Sequence, residues 1–326
     1  MKDIKIVNVT TVDAAVAELK KGKAAVIAGG TDVYQGLKAM ISPNAPDTLV
    51  NIRGIAALKK LAEEGGVLKI GPLTTLSEIA ASSVVQTKYT ALAQAAGRVS
   101  SPELRNRGTI GGNICQHVRC WYYRHEHNTF PCLRKNNSSI CYALAGDNRF
   151  HSIFGATNGC VAVNPSDTAP ALIALNAKIV TSKQTLDAEK FFATIMAPAG
   201  EGTTVLAADE IVTEIQVPAP AAGVKSAFIK FALRKSFDFP IVNCAAAIGA
   251  GGARICLNAV HNLPRRATTA EDAVKGKTID NTVAEAAGAA AVTGATALPA
   301  TGWSPGNKYV IQIAKTVVKR TVLACA

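Results

Sequence analysis

The chain carries eight cysteines, and five of them, Cys115, Cys120, Cys132, Cys141 and Cys160, fall within residues 115–160. That stretch, CQHVRCWYYRHEHNTFPCLRKNNSSICYALAGDNRFHSIFGATNGC, is also rich in His, Arg, Asn and Tyr. It shows neither helical nor strand periodicity. An irregular segment of this length inside a compact domain is usually functional or disordered, and its aromatics and cysteines argue against disorder. Four chemistries suit such a set. Disulfides need an oxidising compartment, and five is an odd number. Zinc is usually held by CxxC knuckles, which are absent here. A catalytic thiol needs a single cysteine. An iron–sulfur cluster needs four thiolates converging on one cube, which an irregular loop can supply. Residue types and spacing favour a metal and leave cluster and zinc both open.

Two further segments suit an anion. Ala28-Gly29-Gly30-Thr31-Asp32 directly follows a short apolar run. Adjacent glycines let backbone N–H groups approach a ligand closely, and a run of such groups forms an anion-binding nest, for which diphosphate is the natural occupant. The spacing is neither GxGxxG nor a P-loop, and a Gly-Gly turn is most often just a turn. Gly108-Thr109-Ile110-Gly111-Gly112-Asn113 is a second close-approach segment, with a hydroxyl and an amide beside its glycines. Together the two favour a phosphate-and-sugar site without naming the nucleotide. No Ser/His/Asp or paired-carboxylate arrangement stands out, so no catalytic residue is assigned. His117, His151 and His261 are expected to be ordinary hydrogen-bonded histidines.

These segments need elements to position them. Residues 12–20 read as a helix capped by Thr10 or Thr11. Residues 24–28 read as a strand running into the first glycine turn, and 48–52 and 66–71 as further strands. Residues 77–82 and 89–99 look helical, and strands at 161–163 and 177–181 flank a helix at 168–175. PAPAAG at 218–223 is a linker. Beyond it come strand-like 227–233, 245–249 and 253–259, an Ala-rich helix then loop over 284–300, and an amphipathic helix at 308–323. Two lobes split near residue 222, without internal repeats.

Composition narrows the class. The chain has 326 residues, 48% of them hydrophobic, which suits two domains or a large one with subdomains. The net charge of +12 marks a basic surface or an attraction to an acidic partner, electron carrier or nucleotide. Lys and Arg are scattered without a DNA-reading motif, so nucleic acid is not expected. The N-terminus lacks the apolar core of a signal peptide. No stretch reaches the roughly 18 apolar residues that span a bilayer. A soluble chain without membrane insertion is expected, either cytoplasmic or carried to the periplasm by a partner that bears the signal.

AGGTD at 28–32, RNRGTIGGN at 105–113, NPSDTAP at 164–170 and KFALRKSFDFP at 230–240 resemble, in order and spacing, the FAD subunit of the xanthine dehydrogenase family of molybdenum hydroxylases. Most members pass quickly from GGN to SDxAP. The cysteine insert instead resembles two subgroups with an extra [4Fe-4S] cluster, periplasmic aldehyde oxidoreductase and 4-hydroxybenzoyl-CoA reductase, and looks closer to the first. The resemblance implies an α+β fold. A PCMH-type (vanillyl-alcohol-oxidase-like) FAD-binding domain at 1–223 would comprise subdomains 1–51 and 52–223. A CO dehydrogenase flavoprotein C-terminal-like domain at 224–326 would hold a three-stranded antiparallel sheet with helices.

The resemblance also assigns residues. Ile27, Ala28, Gly29, Gly30, Thr31, Asp32 and Val33 would wrap the FAD diphosphate, with Thr109, Gly112 and Asn113 completing the site. Asp167 would bond the ribose or ribityl region, or cap the helix that follows it. Lys230 would reach the flavin, and Arg234 and Phe239 would line the ring. Cys120, Cys132, Cys141 and Cys160 match cluster ligands; Cys115 matches a non-ligand position. Cys244 and Cys256 are expected to be small buried hydrophobes and Cys325 to be incidental. Arg119, Arg124, His125, His127 and Arg134 would tune the cluster or merely solvate the insert. The implied role is an oxidoreductase subunit that passes electrons. Aldehyde oxidation would occur at a molybdenum cofactor in a large partner subunit. Electrons would cross [2Fe-2S] clusters in a small subunit to FAD here, then reach an external acceptor.

Overall fold

The computed structural model describes residues 3–135, 138–192 and 202–326. The first subdomain runs β1 (Lys5–Asn8), α1 (Val12–Lys20), β2 (Ala24–Ile27), α2 (Val33–Lys38) and β3 (Thr48–Asn51), with the three strands parallel in the order β1-β3-β2. Thr11, not Thr10, caps α1, its hydroxyl accepting from the Ala14 N–H at 3.1 Å. The central strand β3 buries side chains on both faces. Val50 packs with Ala15 and Leu19 of α1, and Leu49 with Ile27 and Leu37. Covered faces are the rule for parallel sheets.

The second subdomain opens with the hairpin β4 (Leu61–Glu64) and β5 (Val67–Ile70). Its two-residue turn, Gly65-Gly66, has both φ angles positive, which glycine tolerates and a tight hairpin requires. Helices α3 (Leu76–Ala81), α4 (Ser83–Lys88), α5 (Thr90–Gly97), α6 (Pro102–Arg107) and α7 (Ile110–Ile114) follow. The cysteine insert holds one short helix, α8 (Trp121–Arg124), and isolated 3-10 turns. After it come α9 (Thr168–Ala174), β6 (Lys178–Thr181), β7 (Thr185–Asp187), α10 (Ala188–Phe191) and β8 (Val212–Pro218). The five strands form one antiparallel sheet in the order β4-β5-β8-β6-β7. Residues 161–163, expected as a strand, join no sheet. Val161 and Ala162 are buried because they sit beside the cysteines, so their apolar character reflects burial rather than pairing.

The last domain comprises β9 (Lys225–Phe231), β10 (Val242–Gly249), β11 (Gly252–Asn258), β12 (Arg265–Arg266), α11 (Thr268–Val274), α12 (Asn281–Ala291) and α13 (Lys308–Leu323). Its antiparallel sheet has order β12-β11-β10-β9. The fourth strand, beyond the three expected, is only two residues long and too short to leave a pattern. The sheet is covered on both sides. Cys244, Ala246 and Ile248 of β10 pack on α11–α13, while Ala245 and Cys256 join the core of the second subdomain. Cys244 and Cys256 are thus buried packing residues, and Cys325, expected to be incidental, is buried with them. The edge strand β9 is closed by α5. The Phe228 N–H donates to Gln94 Oε1 at 2.8 Å, and Ser226 Oγ accepts from the Ala91 N–H at 3.1 Å. Among the described residues no helix is long and apolar enough to cross a membrane.

Helices α12 and α13 approach so closely that a Cβ on Gly288 would lie 2.5 Å from the Lys315 carbonyl oxygen. Gly288→Ala should gain about 1 kcal/mol of helix propensity but lose ~1–3 kcal/mol to overpacking. We expect net destabilisation in chemical unfolding, because the obstructing atom is backbone and cannot turn away.

Candidate cofactor site

The two glycine segments meet. Gly29 lies so close to the end of α6 that an added Cβ would sit 2.2 Å from the Arg107 carbonyl oxygen, and one on Gly108 would touch Thr31. Gly30 has φ +78° and faces the Tyr34 ring, so it needs the left-handed freedom of glycine. The second segment starts a helix rather than forming an open loop. Thr109 Oγ1 accepts from the Gly112 N–H at 3.2 Å to cap α7, and Gly111 abuts Pro72.

Beside this contact opens a cavity of about 480 Å³. Residues 27–33 line it, with Thr109 and Gly112. Sequence reasoning missed other parts of the wall. These include Met40 and Ile41 after α2, Gln116 and His117 at the start of the insert, and residues 210–212 leading into β8. They carry no motif and are brought in by folding. Close-set backbone at one end and apolar Ile27, Leu37, Ile41 and Leu206 along the walls suit a ligand with a diphosphate and a flat apolar body. The residues present fit FAD.

Asp32 begins α2, yet its carboxylate does not cap it. It accepts from the His117 N–H at 2.9 Å, from Arg119 at 2.9 Å and from Arg124. Burial opposes its ionisation, but Arg119 and Arg124 outweigh that, and its carboxyl is held below the ordinary value. The insert is thereby clamped to the first glycine loop. Arg119 reaches further, its guanidinium 4.5 Å from the Phe239 ring centroid. Arg234 pairs with Asp238 on the loop that follows β9. His125 packs edge-on against Phe130, and the His127 N–H donates to the Ala39 carbonyl.

Within the insert, Cys120, Cys132, Cys141 and Cys160 line one small pocket, walled by Tyr122, Tyr123, Leu133, Tyr142 and Ala162. All four are free thiols. Burial pushes the Cys120 thiol up to about 12, with Cys160 and Cys141 adding to the rise, and burial also raises Cys132 and Cys141. Cys160 Sγ accepts from the Ala162 N–H and the Arg134 Nε–H, both at 3.4 Å. His151 Nε2 lies 3.3 Å from Cys120 Sγ, and burial lowers its pKa to about 4. Among the described residues, no group of three or more His, Cys, Asp or Glu side chains is placed to hold a metal ion; the four cysteines share the lining of one pocket. Cys115 lines the large cavity instead.

Asn113, Asp167 and Lys230 lie outside the cavity wall, in a buried polar cluster between the domains. Lys230 Nζ pairs with Asp167 Oδ2 at 2.7 Å and donates to the Arg98 carbonyl at 3.0 Å. Asn243 Nδ2 donates to Asp167 Oδ1 at 2.7 Å, and Asn113 Oδ1 accepts from Ser166 and Thr168 at 2.6 Å. Burial pushes the Asp167 carboxyl up against the pull of Lys230. Asp167 occupies the N-cap position of α9 without a side-chain bond to it, and the Ser166 hydroxyl accepts from the Ala169 N–H.

The sequence pattern of the FAD binding domain in molybdopterin dehydrogenase matches residues 2–220, and that of the CO dehydrogenase flavoprotein C-terminal domain matches residues 227–325. The chain belongs to the FAD-binding subunits of the molybdenum hydroxylases. This FAD-binding subunit is 31% identical over 267 residues to the aldehyde oxidoreductase FAD-binding subunit PaoB of Escherichia coli (strain K12), covering 80% of this chain and 82% of that one. It is 28% identical to the carbon monoxide dehydrogenase medium chain of Hydrogenophaga pseudoflava, over 92% and 88% of the two chains. The solved carbon monoxide dehydrogenase of that organism superposes with a TM-score of 0.74 at 26% identity, covering 99% of this chain and 97% of that one. Quinoline 2-oxidoreductase from Pseudomonas putida 86 shares the fold, with a TM-score of 0.73 at 21% identity. The FAD-binding subunit is part of an oxidoreductase.

Replacing Asp32 by Asn leaves two largely buried guanidinium groups short of their counter-charge, and should cost ~1–3 kcal/mol at neutral pH. A carboxyl with a lowered folded pKa stabilises above its unfolded value and loses that contribution as pH falls through the folded one. The difference in melting temperature between wild type and Asp32→Asn should therefore be constant above about pH 4 and shrink below it. Lys230→Met should cost ~3–5 kcal/mol by stranding the Asp167 carboxylate, and adding Asp167→Leu should recover much of that loss in urea unfolding.

Proposed function

We propose that this subunit carries electrons for a molybdenum-dependent aldehyde oxidoreductase. It would bind FAD in the large cavity and a [4Fe-4S] cluster through Cys120, Cys132, Cys141 and Cys160. The reading rests on one observation above all: four cysteines scattered through an irregular insert line a single apolar pocket. When bound, the flavin exchanges one or two electrons and the cluster one. The chain supplies the rest. Residues 27–33 and 109–112 hold the nucleotide end, and the Asp32 clamp fixes the insert beside it. Tyr122, Tyr123 and Tyr142 wall the cysteine pocket. Burial raises the Cys120, Cys132 and Cys141 thiols, which suits ligands that give up their protons to a metal on assembly.

Aldehyde is favoured as substrate class by the 31% identity to an aldehyde oxidoreductase subunit. Substrate oxidation would then occur at a molybdenum cofactor in a large partner subunit. A small subunit with [2Fe-2S] clusters would lead electrons here, and an external acceptor would receive them. The subunit co-expressed and purified with such partners should show flavin absorption on a broad visible shoulder. Cys132→Ser should lose the iron of this chain and keep FAD; full iron content in the variant would overturn the ligand set. A complex that fails to oxidise any of a panel of aliphatic and aromatic aldehydes with an artificial acceptor would overturn the substrate class.

A further inference from the structure

Of the basic residues in the insert, Arg134 stands apart. Arg134 is 3% exposed and lines the pocket of the four cysteines. Its Nε–H donates to Cys160 Sγ at 3.4 Å, and its Nη1–H donates to the Gly202 carbonyl at 3.1 Å. Gly202 lines the large cavity. The next residue, Thr203, is itself buried and donates to the Gln116 carbonyl at 3.0 Å, and Gln116 also belongs to the cavity wall. One guanidinium thus spans the partition between the cysteine pocket and the cavity, touching a thiol on one side and the cavity backbone on the other.

We propose that Arg134 is a positioning residue that sets the one-electron potential of the centre held by the four cysteines. The inference rests on the reading that this pocket holds a [4Fe-4S] cluster. Adding one electron there adds one negative charge and breaks no bond. A fixed cation and an N–H···S hydrogen bond both favour the more negative, reduced form, and they act strongly where water is excluded. Arg134 therefore raises the potential. Its second bond, to Gly202, holds the guanidinium in that position. Such outer contacts tune a metal centre without ligating it.

The test uses the complete complex. Wild type is compared with Arg134→Gln, which keeps a donor without the charge, Arg134→Lys, which keeps the charge without the planar fork, and Arg134→Met, which keeps neither. Iron and FAD content are measured first. The paramagnetic signal of the reduced cluster is then followed in a titration with dithionite as electron donor and ferricyanide as acceptor, with flavin absorbance followed alongside. The expected result is unchanged FAD content and a midpoint potential that falls in the order wild type, Lys, Gln, Met, with the flavin potential moving less. Equal potentials in wild type and the charge-free variants, at full iron content, would overturn the role of Arg134 and leave the cluster reading intact. A wild-type complex without iron attributable to this chain would overturn the cluster reading itself. Loss of iron from all three variants, with FAD retained, would show that Arg134 serves assembly and not potential.

Discussion

The arrangement turns on the Asp32 carboxylate. It sits at the end of the first glycine segment and is met by an N–H and two guanidinium groups from the insert. The insert has little regular backbone hydrogen bonding of its own, so side-chain contacts carry much of its position relative to the nucleotide cavity, beside the backbone bond from the His127 N–H to the Ala39 carbonyl. A charge-assisted, multi-donor contact in a partly buried setting is the strongest kind available for that purpose. It makes the cavity and the cysteine pocket parts of one structure, with Cys120 immediately following one of the two arginines.

A second constraint operates between the domains. The sheet of β9–β12 is covered by its own helices on one face and by α5 and α9 on the other. Small residues on β10 allow that close approach. The Asp167–Lys230 pair is buried at the same junction and bonded to Asn243 and the Arg98 carbonyl. Buried pairs of this kind add little net stability but penalise any packing that separates them. Asp167 and Lys230, both expected at the cofactor, are paired with one another at this junction.

Much of this was legible. α13 falls where its amphipathic pattern puts it, and α1 and the three long C-terminal strands match to within a few residues, because period and capping are local properties. Residues 161–163 misled, since an apolar run reports burial and not the reason for it. The two-residue β12 and the short β1 left too little pattern. The cavity wall at residues 40–41 and 210–212 was invisible, because those positions contribute shape rather than reactive groups.

The sequence by itself determined the inventory: four cysteines in an irregular insert beyond a fifth, two glycine segments that allow close backbone approach, and an order of motifs that identified the family. Those follow from residue type and spacing, which are properties of the chain. Only the tertiary structure decided who meets whom. It set the four cysteines in the lining of one pocket and left Cys115 in the other cavity. It turned Asp32 towards Arg119 and Arg124, joined Asp167 to Lys230, and placed Arg134 in the partition. These are contacts between residues far apart in sequence. Their partners are chosen by packing and by the cost of burying charge unpaired, which no local pattern records.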